Sequence, residues 1–240
     1  MKISIKTSLL ALLLFSSINC TLKLKENKTY SEVKVIGAMK NVMWKGELDS
    51  NLDLDTITDK NELYGIGPEA YLKGELLINN GKSYVSKVSS DSTMTVEKRF
   101  NVSAPFFVYA NVNDWVEEEL TPSIRNYQDL ERHINQKMND FKKPFAFKLI
   151  GQISNASIHV QNLPKGTKVS SPDQAHIGQT NYELHNETVE IVGFFSREHK
   201  GVFTHHDSFL HMHLITADEK KMGHLDKLEI ETMKLFLPRN

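Results

Sequence analysis

Apolar and polar residues alternate strictly through Leu210-His211-Met212-His213-Leu214, a period of two that belongs to a strand with one face on a core. Leu210, Met212 and Leu214 form the core face; Asp207, Phe209, His211, His213 and Ile215 fall on the other. Ala217-Asp218-Glu219-Lys220 reads as a polar turn closed by Thr216 and Lys221, which makes Gly223-His224-Leu225-Asp226 the start of a return strand. In that register His213 opposes His224. Elsewhere, Tyr71–Ile78 and Lys82–Val85 flank Asn79-Asn80-Gly81, a hairpin turn signal, and Phe106–Val112 is a further strand. A Val-rich run from Val33 leads into a helix near Ala38–Trp44. Thr121-Pro122 opens a second helix whose apolar stripe, Tyr127, Leu130, Ile134, Met138 and Phe141, is read as core packing. Phe145–Ile150, Ser157–Val160 and Thr188–Phe195 are strands, with 161–180 as a long irregular connection that separates two sheets. The expected fold is α/β: two mixed, strand-rich β-sheets with few helices.

The histidine pattern brings in chemistry. Directly opposed strand residues have Cβ atoms about 4.5–5.5 Å apart, so His211, His213 and His224 form a three-imidazole face. Three neutral imidazoles suit a zinc ion and leave it an open position, the mark of a catalytic rather than a structural site. His205, His206 and Asp207, just before the trio, are either further ligands or, as is more common for such residues, a polar loop at the mouth of this site. His133, His159, His176 and His185 read as ordinary half-buried histidines.

Composition narrows the setting. The chain has 240 residues and a net charge of −1, with no basic tract beyond the leader and Lys23–Lys28, so nucleic acid is not an expected partner. Met1–Lys6 is cationic and Ser8–Ser17 is apolar but too short to span a bilayer. The run ends at Cys20, the only cysteine. Residues 1–20 therefore read as a signal peptide of lipoprotein type with Cys20 lipidated, and 21–32 as a tether. Export to a bacterial periplasm or cell envelope follows, with membrane attachment only through that anchor. The remainder divides into an N-terminal α/β part, 33–160, and a C-terminal β-rich part, 161–240, carrying the metal site.

Several segments in order resemble the alpha-acetolactate decarboxylase family: Gly65-Ile66-Gly67 with Leu72-Lys73-Gly74-Glu75-Leu76, then Ala104-Pro105-Phe106, Pro144–Gly151, Val192-Gly193-Phe194, His211-Met212-His213 and Gly223-His224-Leu225-Asp226. The resemblance implies a two-sheet α/β fold, commonly a homodimer. The activity it implies is zinc-dependent conversion of (S)-2-acetolactate, a 2-hydroxy-3-keto acid, to (R)-acetoin and carbon dioxide. It assigns Zn2+ to His211, His213 and His224 and a metal-proximal or proton-relay role to Glu75. It further suggests Lys148, standing where the family has arginine, as the cation for the substrate carboxylate. The family's proton-donating glutamate comes from a C-terminal extension, for which only Glu229 and Glu231 offer late carboxylates here. Two other readings compete: an exported metal- or small-acid-binding lipoprotein with little or no activity, and a zinc hydratase, whose metal also sits on such a histidine hairpin.

Overall fold

The structure is a computed structural model and describes residues 32–239. Cys20 and the proposed leader and tether lie outside the described residues, apart from Glu32. The elements in chain order are β1 (Lys34–Ile36), α1 (Met39–Lys45), β2 (Leu52–Asp53), β3 (Leu63–Pro68), β4 (Glu75–Asn79), β5 (Lys82–Ser90), β6 (Thr93–Lys98), β7 (Ser103–Ala104), β8 (Phe107–Asn111) and β9 (Trp115–Glu119). There follow α2 (Tyr127–Lys137), β10 (Phe145–Val160), α3 (Pro172–Ala175), β11 (Thr180–Phe195), β12 (Leu210–Thr216) and β13 (Met222–Pro238).

Two sheets dominate. The first runs β1-β8-β3-β4-β5-β6 and the second β10-β11-β12-β13-β9, with β10 also pairing β13. That extra pairing closes β10 to β13 into a small barrel. Its interior holds Phe145, Phe147, Leu149, Ile191, Phe195, Leu210, Met212, Leu214 and Leu235, all at most 1% exposed. Closure removes the free edges that long strands would otherwise present. The outer face of the barrel packs on the first sheet, where Ala146, Val192, Phe194, Ile215 and Met222 meet Tyr64, Ile66, Leu77 and Val108. A third cluster, with Leu63, Leu76, Ile78, Val85 and Phe107, covers the other face of the first sheet.

The strand pairings within the sheets are all antiparallel among the described residues, which corrects the expectation of mixed sheets. The connection at 161–179 does not separate the sheets either: β10 and β11, on either side of it, are neighbours from Phe145↔Phe195 to Val160↔Thr180. The first sheet is drawn from residues 34–98 and 107–111, and the second starts at β9. The two strands expected at 145–150 and 157–160 are one 16-residue strand, and β11 starts eight residues earlier than Thr188. Both strands break their own alternation. In β11 the interior residues are Tyr182 and Leu184 before Asn186 and Val189 and Ile191 after it, and Asn186 itself has φ of 52°. Such a phase change makes a long buried strand look like two short ones. Helix α2 starts at Tyr127 rather than near Thr121, capped by Asn126 accepting from the Asp129 amide at 2.9 Å. The hairpin at Asn79–Gly81 stands as expected. Among the described residues no helix is long and apolar enough to cross a membrane.

Candidate metal centre

Strand alternation places His211 and His213 on the outer face of β12, and the short turn brings β13 back so that His213 pairs directly with His224. All three rings are buried, 2%, 0% and 6% exposed. Their centroids lie 5.1 Å (His211–His213), 4.9 Å (His211–His224) and 5.4 Å (His213–His224) apart. His211 Nε2 is 3.2 Å from His224 Nδ1, and one ring nitrogen from each histidine falls within 4.8 Å of the others. Phe209, expected on this face, instead packs against the barrel core from just before the strand.

Glu75, the first residue of β4, comes from the facing sheet and is 2% exposed. Its Oε2 lies 3.7 Å from His213 Nε2 and its Oε1 4.0 Å from His159 Nε2. Two close backbone approaches set these positions. A Cβ on Gly74 would lie 2.3 Å from the Ser86 carbonyl oxygen, and one on Gly223 would lie 2.5 Å from that of His159. Before Gly74 the chain does not form the expected strand. Tyr71 and Leu72 have φ of 60° and 51°, a costly conformation for L-residues. Bonds from the Tyr71 amide to the Leu48 carbonyl and from the Leu163 amide to the Leu72 carbonyl hold this turn, both at 2.8 Å.

Burial dominates the electrostatics. It drives His211 and His224 well below the ordinary histidine range, with the neighbouring histidines adding to the effect. It pulls His213 down to about 3, His159 adding to the shift and the Leu76 backbone opposing it. The trio is therefore neutral, the form that ligates a metal. Burial likewise raises Glu75 well above the usual carboxylate range, opposed by the Gln161 backbone and reinforced by Asp226 and Glu69. The Nε2 of His213 is buried without a hydrogen-bond partner. An orphaned imidazole nitrogen facing two more imidazoles and a carboxylate fits a metal ion, which would satisfy what the protein leaves open.

A cavity of about 250 Å3 opens on this cluster. Met39, Met43, Trp44, Leu72 and Phe106 form its apolar side; Glu75, His159, Gln161, His205, His211 and His224 form its polar side. Glu75 is the one carboxylate and Lys40 the one lysine among the lining residues. Lys148 is not brought to the cluster. It lies on the histidine face two strands away, Lys148↔Val192↔His213. Its amine sits over Phe236, Trp115 and Tyr64, at 4.8, 5.2 and 5.6 Å from the ring centroids. Burial lowers its pKa, against the pull of Glu190, Glu117 and Glu62. Glu229 is also remote, bonded to Asn155 Nδ2 at 2.6 Å on an exposed stretch of β13.

Three further residues line the cavity, and two of them, His159 and Lys40, have no signature in the sequence. His159 pairs with His224 across the barrel closure, a contact between residues 65 positions apart that no local pattern signals. His205 Nε2 sits 3.0 Å from His224 Nε2, so it belongs to the cluster rather than to its mouth. Lys40 faces the cavity from α1, where nothing in the helix pattern marks it out.

A closed barrel packed on a six-stranded sheet, with buried histidines and a carboxylate between them, defines a candidate metal centre. The chain belongs to the alpha-acetolactate decarboxylase family, whose family model matches residues 36–238. The fold is similar to that of alpha-acetolactate decarboxylase from Bacillus subtilis strain 168, with 20% identity, 88% of this chain and 86% of that chain covered, and a TM-score of 0.71. It is equally similar to a Staphylococcus aureus protein of unknown function described as similar to that enzyme, with 17% identity, coverage of 86% and 85%, and a TM-score of 0.72. No curated protein sequence matches the chain.

Proposed function

We propose that the protein decarboxylates (S)-2-acetolactate to (R)-acetoin and carbon dioxide, using a zinc ion held by His211, His213 and His224. The observation that carries this is the buried, neutral histidine trio with the Nε2 of His213 unpartnered beside Glu75. Zinc bound there supplies a Lewis acid that polarises the substrate's oxygens. The residues of the chain do the rest. Glu75 is the group placed to hold a proton and return it to the face of the product carbanion turned toward it. Lys40, which lines the cavity, takes the role expected of Lys148 and offers the cation for the substrate carboxylate, which has to stay ionised to leave as carbon dioxide. Met39, Met43, Leu72 and Phe106 take the substrate's methyl groups and keep water from the reacting carbons.

The alternative, a metal- or small-acid-binding protein without turnover, draws support from the seating of Lys148 away from the cavity. Export, lipidation of Cys20 and assembly as a homodimer are further parts of the proposal, supported by the N-terminal segment and the family resemblance. Acetoin formation from racemic acetolactate, with and without chelator, tests the activity. Chelator-sensitive product well above the spontaneous rate is expected. Zinc-loaded protein that yields acetoin only at the spontaneous rate would select the binding reading.

A further inference from the structure

Groups that this reading leaves unused converge on the far edge of the His224 ring. The Nδ1 edge of His224 faces His211 at 3.2 Å, whereas its Nε2 lies 3.0 Å from His205 Nε2 and 4.0 Å from Asp226 Oδ1. Asp226 also receives His159, whose Nδ1 is 2.9 and 2.8 Å from the two carboxylate oxygens. The rings of His159 and His224 are 4.6 Å apart and tilted by 30°. One ligating atom each from His159, His224 and Asp226 falls within 4.8 Å of the others. We propose that His159, Asp226 and His224, with His205 beside them, form a second divalent-cation site, joined to the His211–His213 site through the two nitrogens of the His224 ring.

Ligand spacing supports this. Donors at about 2.0–2.2 Å from a zinc-like ion lie roughly 3.3 Å from one another in a tetrahedron. The Asp226 carboxylate lies 2.8 Å from His159 Nδ1 and 4.0 Å from His224 Nε2, and one donor atom from each of the three residues falls within 4.8 Å of the others. Imidazoles with a single carboxylate select a borderline ion such as zinc or cobalt over magnesium or calcium, which take oxygen shells. A simple His159–Asp226 hydrogen bond would account for that one pair. His205 Nε2, 3.0 Å from the same His224 nitrogen that Asp226 approaches, adds a further donor beside that pair.

The proposed site lies between two cavities, with His159, His205 and His224 also lining the first. His205, His224 and Asp226 line a second cavity, of about 580 Å3, whose wall includes Glu131 and Asp207, with Arg132 as the opposing charge. Carboxylates on such a wall raise the local concentration of cations. With both ions in place the His224 ring proton is displaced to solvent, so the ring bridges as an imidazolate. The second site stands whether or not the chain turns over acetolactate.

The test is metal counting on the purified protein saturated with Zn2+ or Co2+ and freed of excess. Two equivalents per chain are expected. His159→Ala and Asp226→Asn should each keep one, and His213→Ala should keep the other. Asp226 is partly exposed, so its amide variant is not expected to disturb the fold, and circular dichroism verifies this. Wild type holding a single equivalent, lost in His213→Ala and retained in His159→Ala, overturns the second site and leaves the trio intact. A single equivalent lost in His159→Ala and retained in His213→Ala overturns the two-ion arrangement and the trio. Two equivalents surviving in both His159→Ala and Asp226→Asn also overturn the proposal. Wild type that binds no metal overturns both sites.

Discussion

The two walls of the histidine cavity are built in opposite ways. The histidine wall lies on β12 and β13, regular strands whose inner faces are locked into the barrel core. The facing wall is irregular: the short helix α1, the left-handed turn at Tyr71 and Leu72, and the connection after β10. The regular wall presents histidines at fixed spacing, which would suit a metal that tolerates little displacement. The irregular wall presents Lys40, Trp44 and Gln161, side chains that set what enters and how it is oriented. Perturbing the two walls should therefore separate metal retention from substrate handling.

The largest effect is expected on the histidine wall. His213→Ala should remove the ion of the trio and lower acetoin formation by about 10³-fold, the several kcal/mol that Lewis-acid stabilisation typically supplies. A variant that keeps near-normal turnover after chelator treatment would place the metal elsewhere. The adjacent Leu214 turns into the barrel and is 0% exposed. Leu214→Ala should cost about 2–5 kcal/mol of stability in denaturant unfolding while the folded fraction keeps its metal. Loss of metal without loss of stability would mean that the two faces of β12 are not independent.

A smaller effect should divide the two lysines. Lys40→Ala is expected to raise KM for acetolactate by about tenfold, from the loss of one charge-assisted contact. Lys148→Met should leave KM and kcat within about twofold, because its amine sits over Phe236, Trp115 and Tyr64, and methionine keeps contact with those rings. A tenfold loss of turnover in Lys148→Met with Lys40→Ala silent would return Lys148 to the site.

The same division decides what the sequence could show. On β12 the alternation of Leu210, Met212 and Leu214 with His211 and His213 is local, and the turn length sets the partner of His213, so the convergence of all three histidines is legible in the chain itself. The antiparallel closure of β10 on β13 is not local: it joins residues 65 or more positions apart, and with it comes His159. Phase changes near Asn186 and between Gln152 and Asn155 hide the full lengths of β11 and β10, because a side-chain alternation that reverses midway reads as two strands. The expected strand at Tyr71–Lys73 fails for a related reason. Apolar residues there serve a strained turn held by distant backbone partners, Leu48 and Leu163.

The smallest effect is expected at the rim of the irregular wall. Trp44 lines the cavity yet is 60% exposed, so it has little burial to lose. Trp44→Ala should shift the unfolding midpoint by no more than about a degree or two, within the range of surface substitutions. Its remaining influence is on the cavity mouth, where an indole can shield bound substrate from water without touching the reacting carbons. The expected outcome is a KM raised by less than about threefold with kcat unchanged, since contacts made equally to substrate and transition state alter binding alone. A fall in kcat at constant KM would instead show that α1 folds over the reacting atoms during turnover, and the irregular wall would then contribute to the chemistry as well as to selection.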